Sequence, residues 1–324
     1  MLPVLAAVIA LSLTQDTDTT LAVRQGQRLD VNDFGGTIDI KTWRQNSLKI
    51  SASHSSRDRI VIEAGDDATI SVRGESRHGP PMVDYTITVP VWMPLNLSGV
   101  STDINVDGSE AELSAETVEG TIDVIGGKGN VSLRSVNGDV TLKNAGGAAG
   151  HIEVHSVDGG IELTNVTGSI SAETVSGDVN LIGIVSGDVD ANTVDGGITY
   201  DGTIQDGGSY HFGSHSGDVT AAMPDKANAT VSVSTYNGEF QACRPVKLVN
   251  KSKHRFTFTL GTGSARVEIE SFDGDLNLAC PGSVHAKSGE GSSVRVNVNP
   301  HVRVDVHTDK DKKDKDQDDQ DEDN

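Results

Sequence analysis

Apolar and polar residues alternate through most of this chain in short bursts, and a glycine closes each burst. "TVEGTIDV", "SVNGDVTL", "SVDGGIEL", "TVSGDVNL", "TVDGGITY" and "SHSGDVTA" are near-copies of one phrase. Aligned on that glycine, the eight best copies put Gly120, Gly138, Gly159, Gly177, Gly196, Gly217, Gly238 and Gly274 in one column, at intervals of 18, 21, 18, 19, 21, 21 and 36 residues. A phrase so short cannot bury its apolar side alone, whereas stacked copies can, so the period predicts a solenoid. Weaker copies, "GKGNVSL", "AAGHIEV", "VTGSISA" and "VSGDVDA", fall between the strong ones and give two glycine-led strands per period. A flattened or a triangular cross-section fits two such strands, and we favour the flattened one. The doubled last interval predicts an extra coil or hairpin around "NKSKHRFTFTL".

Read column by column, the phrase describes a corner followed by a half-buried strand. Two positions after the glycine every copy is apolar, Ile122, Val140, Ile161, Val179, Ile198, Val219, Phe240 and Leu276, and the next residue is polar. The glycine follows Glu, Asn, Asp or Ser in every copy, which marks a tight corner needing positive φ or close backbone approach. Three positions before it stands Ser or Thr throughout: Thr117, Ser135, Ser156, Thr174, Thr193, Ser214, Thr235 and Ser271. Stacked at a strand spacing of ~4.8 Å, these hydroxyls are expected to form a cross-strand ladder.

Ahead of the repeats, "GGTIDIKTWRQNSLKISAS", "RIVIEAGDDATISVRG" and "YTITVPVWMPLNLSGVSTDINVDG" alternate in the same way, with no amphipathic helix. "GGTIDIKTW", the "ITVPVWMPLNLSGVSTDINV" passage and the many Gly-Asp-Val units resemble the bacterial putative-adhesin family of β-strand-repeat proteins, a domain of unknown function found in exported proteins. The resemblance covers roughly Val23 to Val306; its motifs are specific as an ensemble and weak singly. It implies an extracytoplasmic β-solenoid with an adhesion label and brings no catalytic residues. The expected fold is therefore all-β: a single-stranded parallel β-solenoid, β-helix-like, of about 18–21 residues per coil, behind a β-rich N-terminal cap. Residues 23–115 form the cap, 116–308 the repeats and 309–324 a tail, with a signal peptide over 1–20.

Composition narrows the class. Aromatic residues are 4% of the chain and hydrophobic ones 35%, so the core must be a narrow aliphatic stack. "MLPVLAAVIALSL" is too short to span a bilayer as a helix and reads as a secretory leader, although it carries no Lys or Arg ahead of its apolar run. No later segment reads as transmembrane. The tail, Asp309–Asn324, holds nine acidic residues and four lysines and has nothing to bury, so disorder is expected there. A net charge of −21 excludes nucleic acid and anionic membrane surfaces as partners. The expected location is periplasmic, cell-surface or secreted, and the expected partner an unidentified surface or envelope ligand, protein or glycan.

The search for chemistry returns one candidate. An acid stands beside nearly every repeat glycine: Glu119, Asp139, Asp158, Asp178, Asp195, Asp218, Glu239, Asp273 and Asp275. In register they form a charged ridge able to gather Ca²⁺ weakly and collectively, while Asp and Asn are also ordinary turn residues. A calcium β-roll is excluded, because only "GGKGNV" approaches its tandem repeat. His151 with His155, and His211 with His215, have suggestive spacings for a metal, but His215 falls in a column that is otherwise Val, Tyr or Phe and is expected to be packed. "GSHSG" has His215 where a nucleophile elbow needs Ser, and "GGKGN" lacks the frame of a phosphate loop. No cofactor and no catalytic residue is assigned. Cys243 and Cys280 follow their repeat strands at similar offsets, so a disulfide is expected after export. The leading expectation is a non-catalytic binding or structural module. The alternatives are a carbohydrate-active solenoid enzyme, which needs a cleft with clustered acids, and an envelope signalling accessory that binds by strand addition at an open solenoid end.

Overall fold

The computed structural model describes residues 14–64, 69–77, 79–252, 254–285, 295–296 and 302–304. Among them every regular element is a β-strand. Strands pair off into coils, each with a first and a second strand, and the coils stack in parallel, first strand on first strand and second on second. Coils are numbered here by position in the stack.

Coils 4 to 9 follow the chain. They are built from Leu113–Glu119 and Ile122–Gly126, Asn130–Asn137 and Val140–Lys143, Gly146–His155 and Ile161–Thr164, Thr167–Ser176 and Val179–Ile184, Asp188–Asp195 and Ile198–Gly202, and Ser209–Ser216 and Val219–Ala222. The register repeats the sequence columns: Val131 pairs with Leu113 and Ile152, and Val140 with Ile122 and Ile161.

At both ends the order departs from the sequence. Coil 3 is Leu95–Ser98 with Ser101–Ser109. Coil 2 is Arg28–Asn32 with Gly35–Trp43, wedged between coil 3 and coil 1, which is Thr69–Ser76 with Val83–Pro90. At the far end coil 9 pairs with Ala265–Asp273 and Leu276–Ala279, coil 10. Coil 10 in turn pairs with the earlier segment Ala229–Asn237 and Phe240–Ala242, coil 11. The chain leaves a gap one coil wide and returns to fill it. Simple succession from Gly217 to Gly238 to Gly274 is thereby corrected: Gly274 lies between the other two, because coils 10 and 11 carry the same columns and either fits the same register.

Antiparallel strands close both ends. Ser47–Ser55 and Asp58–Ala64 cover coil 1, and Thr14–Ala22 lies on Ser47–Ser55 along its whole length. Arg255–Leu260 covers coil 11 with Leu248–Lys251 behind it, the hairpin expected from the doubled interval, and Val302–Val304 pairs with Phe240–Ala242. The stack thus crosses residue 115 without a break, and three of its coils lie in the segment expected to be the cap. The expected leader falls outside the described residues up to position 13, and positions 14–20 belong to the strand on Ser47–Ser55. The acidic tail also lies outside the described residues.

One continuous apolar core runs from Val23 to Leu278 through the stack. A middle coil contributes four side chains, such as Val131, Leu133, Val140 and Leu142, none more than 1% exposed. Each stabilises the fold by about 1.5–3 kcal/mol. The few aromatics concentrate near one end: Tyr200, Tyr210, Phe212, Phe240, Phe256 and Phe258 are buried in coils 8, 9 and 11 and the closing hairpin. The buried Tyr200 and Tyr210 hydroxyls donate to the carbonyls of Thr203 and Ser186.

Candidate functional site

The glycine corner between the two strands repeats from coil 4 to coil 11, and its construction explains its residues. A Cβ placed on any of the eight column glycines would lie 2.0 to 2.3 Å from a backbone carbonyl oxygen of the neighbouring coil. Close approach therefore demands glycine at all eight, and a positive φ of 147 to 159° demands it as well at Gly120, Gly138, Gly159, Gly177, Gly196 and Gly217. Those same carbonyls are the acceptors for the hydroxyl column. The Thr174 hydroxyl donates to the Gly159 carbonyl at 2.9 Å, Thr193 to Gly177 at 3.0 Å and Ser271 to Gly217 at 2.9 Å. The expected hydroxyl-to-hydroxyl ladder is thus corrected to a hydroxyl-to-carbonyl ladder. Its side chains point inward and are buried.

With the hydroxyls inside, strand alternation turns the next residue outward. Val118, Val136, Val157, Val175 and Val194 are 45 to 48% exposed, one above another. Phe34 and Val100 continue the column into coils 2 and 3, and His215, Phe272 and Tyr236 continue it through coils 9, 10 and 11. The expectation that His215 is packed inside is overturned: it is exposed and stacks on Phe272, with ring centres 5.0 Å apart. Phe272 stacks on Tyr236 at 5.1 Å, and Tyr236 on His254 at 4.4 Å. Four near-parallel rings thus continue the valine ladder across the place where chain order is exchanged.

The acids beside the glycines split into two sets. Asp139, Asp178, Asp218 and Asp275 follow the glycine, and each accepts a backbone N–H from the adjacent coil: Gly160 at 2.7 Å, Gly197 at 2.8 Å, Asp275 at 2.7 Å and Glu239 at 2.8 Å. Asp103 does the same for Thr121. These carboxylates build the corner. Glu119, Asp158, Asp195 and Asp273 precede the glycine on the exposed side of the ridge.

Several acids off the ridge are paired, whereas Glu116, Asp123 and Asp190 on the faces are in no ion pair among the described residues. On the faces, Glu153 meets Arg134 and His155, Glu162 meets Lys143, Glu110 meets Lys128, and Glu268 and Glu270 meet Arg266 and Arg255. Hydrogen bonds from His155, Lys128 and Arg266 hold Glu153, Glu110 and Glu268 below the usual carboxylate range. Among the described residues, Glu119, Asp139, Asp158, Asp178, Asp195, Asp218, Asp273 and Asp275 make no ion pair with Lys, Arg or His. The ridge therefore carries unneutralised charge at intervals of ~4.8 Å beside an exposed apolar column.

No three of His, Cys, Asp and Glu converge as a metal site among the described residues. His155 lies against Glu153 and Glu173, and His211 lies 3.8 Å from Glu268. Two shallow depressions occur away from the ridge. One is lined by Ser109, Glu110, Lys128, Asn144 and Thr167, the other by Arg28, Asn96, Glu112 and Asn130. Each holds a single acid, whereas glycoside cleavage uses two. Cys243 and Cys280 are joined, with Cα atoms 5.6 Å apart, and tie coil 11 to coil 10.

One buried acid stands outside the repeat logic, and the sequence reading missed it. Asp33 takes the hydroxyl-column position of coil 2 and is 3% exposed. Thr102 donates to one of its oxygens at 3.1 Å; the other is buried without a partner, as is the Tyr85 hydroxyl. Burial pushes the Asp33 carboxyl up to about 7.

These features define a class: a parallel β-solenoid whose coils are locked by glycine and hydroxyl columns. Within it, the chain belongs to the Toastrack DUF4097 family, whose model matches residues 26–279, from just ahead of coil 2 to the last residue of coil 10. A crystal structure of a putative cell adhesion protein from Clostridium sporogenes is similar at 12% identity, covering 82% of this chain and 98% of that one. Its TM-score is 0.21, too loose a superposition to carry an argument. No curated protein matches. No helix among the described residues is long and apolar enough to cross a membrane.

Proposed function

We propose that the chain is an exported, non-catalytic β-solenoid that serves as an adhesin or as a binding and structural module of the cell envelope, with the corner ridge as its binding surface. The observation that carries this reading is the ridge itself: a continuous exposed apolar column with a line of unneutralised carboxylates beside it, one or more per coil through coils 4 to 10. Contiguous exposed apolar surface of this kind marks interaction sites. A leader removed on export would end ahead of Thr14, since the strand beginning there completes the first end of the stack. Divalent cations would bind the ridge weakly and collectively, because spaced single carboxylates offer fewer oxygens than the six to eight that Ca²⁺ takes. Strand addition gains no support from the ends, which antiparallel strands cover.

The test has two arms on the full chain. Protease shaving of intact cells asks whether the protein is outside, and binding to isolated envelope asks whether the ridge is used. Export with binding that Val136→Thr, Val157→Thr and Val175→Thr together abolish supports the reading. A protein confined to the cytoplasm, or envelope binding that the triple variant leaves untouched, rejects it.

A further inference from the structure

We infer that the ridge docks a cationic polypeptide segment bearing apolar side chains, laid along the stack axis. The inference rests on the ridge being the binding surface and names the chemistry of its occupant. Three observations select that chemistry.

The first is charge complementarity. Eight corner acids lack basic partners among the described residues, one or more in each of coils 4 to 10, so a docked segment meets unneutralised carboxylates coil after coil. Neighbouring ridge charges fall within one Debye length, about 8 Å at physiological ionic strength, and their potentials add. A Lys- or Arg-bearing segment gains from every coil it crosses. A second copy of this chain, presenting the same ridge, would set like charges against each other.

The second is the valine ladder. Val136, Val157 and Val175 are about half exposed, with no element of the described residues over them. Covering them stabilises a complex only if the partner brings apolar groups, so charge alone is an incomplete match.

The third concerns the rings. Sugars stack on the open flat faces of aromatic side chains. Here Phe272 is sandwiched between His215 and Tyr236, and Tyr236 between Phe272 and His254, at 4.4 to 5.1 Å, so both faces of the two carbocyclic rings are covered and their edges are left outward. The edges of Phe and Tyr carry partial positive charge and suit apolar side-chain contact better than a carbohydrate platform.

The experiment measures binding of two peptides to the full-length protein by fluorescence anisotropy. One alternates lysine and leucine, the other lysine and serine. Each is about fourteen residues long, enough to span the ridge when extended. The lysine–leucine peptide should bind at least about tenfold tighter than its serine counterpart. The variant Val136→Thr, Val157→Thr, Val175→Thr should erase that preference, and Asp139→Asn with Asp178→Asn and Asp218→Asn should flatten its salt dependence. Circular dichroism checks that both variants stay folded. Equal binding of the two peptides that survives the valine changes overturns the inference, since charge elsewhere, such as the acidic tail, would then suffice. Ridge-dependent binding of a neutral oligosaccharide in place of either peptide overturns it as well. If both peptides fail while the triple valine variant still loses envelope binding, the occupant is wrong and the ridge reading stands. If envelope binding also ignores the valines, both fall.

Discussion

The middle coils and the two ends are built from the same columns but held by different means. Coils 4 to 9 are wound in sequence order, so each contact joins residues 18 to 21 apart, and glycine, hydroxyl and aliphatic columns recur with few exceptions. The ends join residues much further apart. Coil 9 pairs with coil 10 across 57 positions, as in Tyr210 with Val267, and Leu29 of coil 2 pairs with Leu95 of coil 3. There the repeat no longer secures itself, and the exceptions gather: antiparallel closing strands, the buried Asp33, the packed rings of Phe240, Phe256 and Phe258, and the disulfide. A local repeat is sufficient in the middle because every coil has a twin on each side. At an end a twin is missing, and unlike parts must supply what it would have given.

Four expected outcomes probe that contrast. The largest effect belongs to the interior of the middle. Val179→Asp puts an unpaired charge into a stack where the native side chain is fully buried, and should cost on the order of several kcal/mol in chemical denaturation. A loss below ~1 kcal/mol would mean that the inward columns are misassigned.

Next comes the far end. Cys243→Ser opens a link between residues 37 apart and should cost about 3 kcal/mol. Hydrogen exchange should show coils 10 and 11 opening early while coils 4 to 9 stay protected. Uniform loss of protection would mean that ends and middle unfold as one unit.

The near end is sensitive to pH. Asp33 titrates at about 7 in the fold against ~3.9 in an unfolded chain, so between those values the native state holds a proton that the unfolded state has released. Stability conferred by the protonated form is complete below pH ~4 and is lost as pH rises through about 7. Tyr85 and Asp84 face the same carboxyl, and the Asp84 charge adds to the upward push. Asp33→Asn should remove the decline and stabilise the protein at pH 8 by on the order of 2 kcal/mol. A wild-type protein whose melting temperature is flat from pH 4 to 8 would contradict this.

The smallest effect is on the ridge. Asp178→Asn keeps an oxygen able to accept from the Gly197 N–H, so denaturation should move by less than ~0.5 kcal/mol. A larger change would make the charge itself part of the fold.

Much of this was legible in the sequence, for an identifiable reason. The glycine and hydroxyl columns serve contacts between neighbouring coils, and a contact repeated at every coil writes itself as a period. The outward valines were legible in principle: Leu113 and Ala115 point inward, alternation puts Thr117 inside with them, and Val118 must then face out. Reading the Val, Tyr and Phe of that column as packed passed over that step and sent His215 to the wrong side. The acids could not be divided in advance, because Asp139 and Asp158 differ only in which side of the glycine they occupy, and the N–H that makes one of them a corner brace belongs to the next coil. Coil order was not legible at all. Coils 10 and 11 present the same columns, so the repeat cannot say which of them meets coil 9; the doubled interval marked an insertion without showing that the chain turns back.

That exchanged order, with one outward ridge carried through it, is open to a direct measurement. Adjacent parallel strands hold equivalent Cα atoms ~4.8 Å apart, within reach of a disulfide, while strands two coils apart lie ~9.6 Å apart, beyond it. Paired cysteines at His215 and Phe272, and separately at His215 and Tyr236, can be oxidised mildly in the folded protein and counted by peptide mapping. The exchanged stack predicts rapid cross-linking of the first pair and none of the second. Cross-linking of His215→Cys to Tyr236→Cys instead would restore winding in sequence order and contradict both the stacked rings and the unbroken ridge.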